Sequence, residues 1–281
     1  MMALMDMLRF EIMREAMMVG TMVAAVCAVL SCFLVLKGWS LMGDAVAHAV
    51  LPGIVLAYIA GIPLAIGAFG AGLVCSVGTG FIRQHCRVKE DTVMGVVFTG
   101  MFAFGLVLFS RTPSDMHLDH ILVGNILGLN DGQFAQTMGL GGIVLLVTLL
   151  LRRDLLLICF DPMQARVMAL RDQMLGLLLL CLLSMAIVAS LQAVGIILVV
   201  AMLVTPGSIG YLWTDRFDRM LVIAVVSAVL ATWLGIWISF QLGLSFGLRA
   251  STSACIVLMQ ALFFVVSLAF APKYGLLARK A

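Results

Sequence analysis

Charge is scarce in this chain. Of its 281 residues only 11% are Asp, Glu, Lys or Arg, while 63% are hydrophobic. A water-soluble domain of this length could not cover its surface with so few charged groups, so a soluble globular fold is excluded. The loop G-x-x-x-x-G-K-[ST], which cradles nucleotide phosphates, is absent, and with it an ATPase of that kind. H-E-x-x-H is absent too, which removes the zinc metalloprotease built on that helix. The 7 cysteines contain no C-x-x-C pair, and Cys27, Cys32, Cys75, Cys181 and Cys255 fall within apolar runs. They read as small apolar packers rather than as a disulfide framework. Residues Met1 to Met18 lack a basic region followed by a small-residue cleavage site, so no removable signal segment is expected. The net charge of +3 is small and says little about nucleic acid, and no nucleic-acid partner is expected.

Long apolar runs are what the chain has instead. A spanning helix needs roughly 20 apolar residues. Nine stretches qualify, at about 16–36, 41–60, 62–82, 92–110, 132–151, 174–190, 194–212, 220–241 and 251–271. They leave no room for a sizeable soluble domain. The expected fold is all-α: a polytopic membrane protein of eight to nine transmembrane helices, one transmembrane domain over residues 1–281. A shorter apolar run, Ile121 to Leu129, is expected to form a re-entrant or interfacial helix. The loops near 37, 83–90, 152–173 and 213–219 and the tail from 272 hold 13 of the 17 Lys and Arg residues. The positive-inside rule makes that side cytoplasmic, with the N-terminus outside and the C-terminus inside. Small residues crowd Gly67-Ala68-Phe69-Gly70-Ala71-Gly72, which favours close helix–helix contact.

One apolar run carries an acid and an imidazole. In Ser40-Leu41-Met42-Gly43-Asp44-Ala45-Val46-Ala47-His48-Ala49-Val50-Leu51-Pro52-Gly53, Asp44 and His48 are four apart and share one helix face. A carboxylate inside a membrane helix costs a few kcal/mol on insertion scales (about 3) and marks function by default. A carboxylate oxygen with an imidazole nitrogen suits Mn, Fe(II) or Zn, whereas Mg and Ca favour oxygen alone. The other reading is a pair that ties two helices together. Pro52-Gly53 can interrupt the helix just beyond, as at many transporter sites. A second group, Met116-His117-Leu118-Asp119-His120, lies on the outer side; it is either a metal-capturing gate or a solvated loop. Two cytoplasmic segments, Cys159 to Leu170 and Thr205 to Arg219, mix aromatic and charged residues. That composition suits either docking of a soluble partner or an ordinary loop. Pro206-Gly207 is expected to break the seventh span.

Five runs in order, SLMGDAVAHAVLPG, RVKEDTVMGVVF, LDHILVGNIL, CFDPMQARVMAL and AVGIILVVAMLVTPGSIGYL, cover nearly the whole chain. They resemble the successive signatures of the manganese/iron/zinc permease family of ABC importers. More distantly they are similar to permeases for vitamin B12 and iron chelates. The resemblance implies a bundle like that of the B12 importer permease, in a bacterial cytoplasmic membrane. It implies a non-enzymatic transport subunit with no permanently bound cofactor, whose cargo is a divalent metal. Manganese or iron is expected, and zinc is the alternative. The partners implied are cytoplasmic ATPase subunits, a second permease subunit (a second copy or a sister chain) and an extracytoplasmic metal-binding protein. The family's intramembrane metal site falls on Asp44 and His48, with Asp119 and His120 on the outer side. Its ATPase-coupling segment falls on Thr205, Pro206, Gly207, Tyr211, Asp215 and Arg216. An ion-coupled secondary metal transporter would also use Asp44 and His48, but it needs no coupling segment.

Overall fold

Hydrocarbon offers no hydrogen-bond partner, so an apolar run must pair its backbone within itself and folds as a helix. The computed structural model describes residues 11–85, 90–111, 124, 126, 128–168, 170–246 and 251–272. All regular structure among them is helical: α1 (Glu11–Lys37), α2 (Met42–Ala49), α3 (Leu51–Ala60), α4 (Leu64–His85), α5 (Glu90–Arg111), α6 (Asp131–Leu150), α7 (Arg152–Phe160), α8 (Pro162–Val167), α9 (Asp172–Val194), α10 (Ile196–Trp213), α11 (Phe217–Phe246) and α12 (Thr252–Phe270). Nine segments among the described residues are long and apolar enough to cross a membrane, with α2 and α3 together making one of them. Each coincides with a run expected from the sequence, its ends displaced by a few residues. Most of the 121–129 run lies outside the described residues, and the part described, at 124, 126 and 128–130, is not helical.

Helix α1 is the centre. It packs on α10, α11 and α6, and α9 and α10 close around it. Leu30, Phe33 and Leu34 of α1, Leu183 and Ile187 of α9, and Leu198, Met202 and Leu203 of α10 are fully buried. Lipid is as apolar as leucine, so these contacts stabilise through close packing and interhelical hydrogen bonds rather than through escape from water. Thr137 of α6 donates to the Ala189 carbonyl of α9 at 2.9 Å, and Ser253 of α12 donates to the Val194 carbonyl at 3.0 Å. Trp233 Nε1 of α11 donates to Thr21 Oγ1 of α1 at 2.9 Å. Gln260 of α12 is different: it is buried, and neither its Nε2 nor its Oε1 has a hydrogen-bond partner among the described residues. Gln260→Leu keeps the volume and removes the unpaired amide. It is expected to raise unfolding stability by about 1–2 kcal/mol, read as a higher thermal midpoint of the purified protein.

The small residues set two close approaches. Gly53 of α3 lies against the Gly67 carbonyl of α4, with Ala57 and Ala71 as the next contacts on each helix. Both helices thus present a glycine and an alanine four apart, the pattern that lets backbones touch in membranes. Gly105 of α5 meets Pro52 in the same way; an added Cβ would come within 2.8 Å of the Pro52 nitrogen.

Neither proline breaks its span where the sequence pattern places the break. The junction between α2 and α3 falls at Val50, before Pro52, and Val50 stays right-handed helical at φ −69 and ψ −24. Pro52 occupies the first turn of α3, where its missing N–H costs nothing. Pro206 lies inside α10, which continues to Trp213. The helix tolerates it because Ser31 of α1 reaches across: the Gly207 N–H donates to Ser31 Oγ at 3.0 Å. A neighbouring hydroxyl of this kind commonly re-satisfies backbone freed by an intramembrane proline.

Candidate metal site

Asp44 is the third residue of α2 and His48 the seventh. Their spacing stacks them one turn apart, and His48 Nε2 lies 3.3 Å from Asp44 Oδ1. That is long for a charge-assisted hydrogen bond, which runs at about 2.7–2.9 Å. The two side chains are partly accessible, at 29% and 38%. The other imidazole nitrogen, His48 Nδ1, is buried and has no hydrogen-bond partner. The pair is therefore neither locked into a protein network nor sealed in a core. The carboxylate and the imidazole as a whole stay partly accessible, whereas the Nδ1 atom itself is shielded.

Neighbours on two sides hold α2 in place. Gly43 sits against Leu203 of α10, where an added Cβ would be 2.8 Å from Cδ1. On the other side the Pro52–Gly105 contact brings α5 alongside. The His48 ring then meets Phe102 edge-on, centroids 5.4 Å apart, and Phe98 at 6.3 Å. Phe98 and Phe102 are also four apart, so a pair of rings on α5 faces the ligand pair on α2. These phenylalanines are the functional neighbours that the sequence did not single out. Phe102→Ala removes the ring that orients the imidazole. An aromatic contact of this kind contributes about 0.5–1.5 kcal/mol, so the transport KM for metal is expected to rise about two- to tenfold with kcat little changed. Phe102→Tyr is expected to stay near the parent value.

No group of three or more His, Cys, Asp or Glu residues able to hold a metal occurs among the described residues. Asp44 and His48 thus stand as a pair with no third such residue grouped with them among the described residues. Asp119 and His120, and His117 beside them, lie outside the described residues.

The residues expected to couple to an ATPase divide between two environments. Pro206 and Gly207 are buried inside α10, and Thr205 is half-buried beside them. Tyr211, near the C-terminal end of α10, is exposed, as are Asp215 and Arg216 in the loop to α11. The earlier cytoplasmic segment is organised as a short helical corner. Asp161 Oδ1 accepts from the N–H groups of Met163 and Gln164, both at 3.0 Å, and so caps α8. Met163, Val167 and Met168 are left exposed at 69%, 86% and 63%. Cys159 just before them is shielded: burial pushes its thiol up to about 11, with nearby Lys37 pulling the other way.

Nine apolar spans among the described residues, one of them carrying an acid–imidazole pair, define a multi-pass membrane protein. The chain belongs to the ABC 3 transport family, whose model matches residues 9–271. It is 55% identical over 261 residues to the chelated iron transport system membrane protein YfeD of Yersinia pestis, covering 93% of this chain and 86% of that protein. It is 50% identical over 277 residues to the manganese transport system membrane protein MntB of Synechocystis, covering 99% of this chain and 89% of that one. Among solved structures, PsaBC from Streptococcus pneumoniae in complex with Fab superposes with a TM-score of 0.85 at 35% identity, covering 99% of this chain and 98% of that chain. A putative metal-chelate type ABC transporter in an inward-facing conformation superposes with a TM-score of 0.72 at 14% identity, which speaks to the fold alone.

Proposed function

We propose that this chain is the permease subunit of an ATP-driven importer of manganese or ferrous iron in a bacterial cytoplasmic membrane. The observation that carries this reading is the Asp44–His48 pair, held 3.3 Å apart on one helix face with both side chains partly accessible. An anionic oxygen offsets the cost of bringing a dication into the bilayer, and the imidazole favours transition metals over Mg and Ca. The names of YfeD and MntB support iron and manganese as the cargo. Neither name supports zinc.

Two ligands leave the ion's shell incomplete. A half-exposed carboxylate in a span would also be costly against lipid. Both facts favour a second permease subunit, a copy of this chain or a sister, closing over the Asp44 face and supplying further ligands together with water. A binding protein outside the membrane delivers the ion near Asp119 and His120. Cytoplasmic ATPase subunits dock on α8 and on Tyr211, Asp215 and Arg216, and their closure moves α10. Thr205, Pro206 and Gly207 belong to the moving helix rather than to its contact surface.

The test is metal uptake by the chain reconstituted with its ATPase and binding-protein partners, with Mn, Fe(II) and Zn in competition. ATP-dependent uptake in which Mn or Fe(II) outcompetes Zn is expected. Uptake by the chain alone, without ATP, would instead make it an ion-coupled transporter.

A further inference from the structure

A groove of about 530 Å³ runs between α10, α11 and α12, lined by Trp213, Val222, Val226, Leu230, Phe263 and Val266 among others. These helices pack on one another and on α1, chiefly away from α2 and the metal pair. The groove opens outward: Val222, Val226, Leu230 and Val266 are all exposed large hydrophobic residues. Its α11 wall is a single stripe, and the stripe continues one turn further to Arg219. Residues 219, 222, 223, 226 and 230 recur at the i, i+3, i+4, i+7 and i+11 spacing of one helix face.

We infer that this groove binds one anionic phospholipid of the cytoplasmic leaflet, its acyl chain along Val222, Val226 and Leu230 and its phosphate at Arg219. Three observations converge on that occupant. The first is length: 11 residues of helix from Arg219 to Leu230 rise about 16 Å, and one leaflet is half of a hydrocarbon core about 30 Å thick. The second is charge. Arg219 is exposed and has no ion pair among the described residues. The acid beside it, Asp218, is already engaged by Arg152 at 3.1 Å. The third is position: Trp213 lines the groove at its cytoplasmic end, where indoles anchor at the headgroup level. A groove lined by apolar side chains apart from Ser227 and Ser267, with a basic residue at its end, fits a phospholipid.

The test is native mass spectrometry of the full chain in complex with its partner subunits, released from nanodiscs of mixed phosphatidylglycerol and phosphatidylcholine. The parent is expected to retain phosphatidylglycerol over phosphatidylcholine by about fivefold, the effect of one basic residue near an anionic headgroup. Arg219→Gln is expected to bring the ratio close to one, while total lipid retained changes little. Val226→Trp, a substitution on the exposed face, fills the groove and is expected to lower retention of both lipids. Millimolar inorganic phosphate should leave the preference intact. The proposal is overturned if the parent shows no preference, if Arg219→Gln keeps it, or if free phosphate abolishes it. It is also overturned if no lipid is retained, as when a protein subunit covers this face.

Discussion

Asp44→Asn is expected to abolish metal uptake while leaving assembly with the partner subunits intact. The substitution keeps the size and the helix and changes only the charge. Asp44 faces His48 at 3.3 Å and makes no other ion pair or side-chain hydrogen bond among the described residues. Removing one member of a charged interaction in a poorly solvated site costs about 3 kcal/mol or more, which is about a hundredfold in binding. The remaining imidazole cannot by itself offset a dication's lost hydration. Uptake of radiolabelled manganese and co-purification of the partners are the two measurements. Loss of uptake with intact assembly is the expected pair of results. Loss of assembly would show that the acid ties helices together, and retained uptake would move the ion's path elsewhere.

Gly53→Val is expected to prevent the folded protein from accumulating. A Cβ at this position would fall on the Gly67 carbonyl and on Ala71 Cβ. The first obstacle is backbone, which has no rotamer to give. Overpacking a well-fitted site costs about 1–3 kcal/mol even when side chains can yield, and here α3 and α4 must separate. The damage would reach the metal pair, since Pro52 fixes α5 through Gly105. Membrane abundance and thermal midpoint measure the effect, and Gly70→Val on α4 provides the contrast. An added Cβ at Gly70 meets open space, so that variant should behave as the parent does. Equal behaviour of the two variants would show that the α3–α4 contact is not tight in the working protein.

The spans were legible because length and apolarity alone decide them, and the acid–imidazole pair stood out because it contrasts with everything around it. The small-residue run from Gly67 announced close contact on α4. Its partner on α3 stayed hidden, because Gly53 reads first as part of a Pro-Gly break. Phe98 and Phe102 gave no signal for a related reason: an aromatic residue in an apolar run has no contrast. Only the register between α2 and α5, set by Pro52 against Gly105, turns them into the wall of a site. Pro206 misled for a physical reason as well. Whether a proline breaks a helix depends on what satisfies the freed backbone, and Ser31 lies 176 positions away in the chain.

Helices α9 and α10 are joined by Gly195 alone, at φ 79 and ψ 167, a conformation essentially restricted to glycine. Its surroundings are held: Ala193 and Val194 are fully buried, and Ser253 binds the Val194 carbonyl. A connector of one residue has no slack, so α10 can only swing about that point like a rod on a fixed bearing. A tilt of about 10° would carry Trp213, about 27 Å away along the rod, through about 5 Å. The same tilt moves Leu203, about 12 Å from the bearing, by about 2 Å, and Leu203 rests on Gly43, next to Asp44. A broad stroke at the cytoplasmic tip thus arrives beside the acid as a short one, geared down by a little more than half.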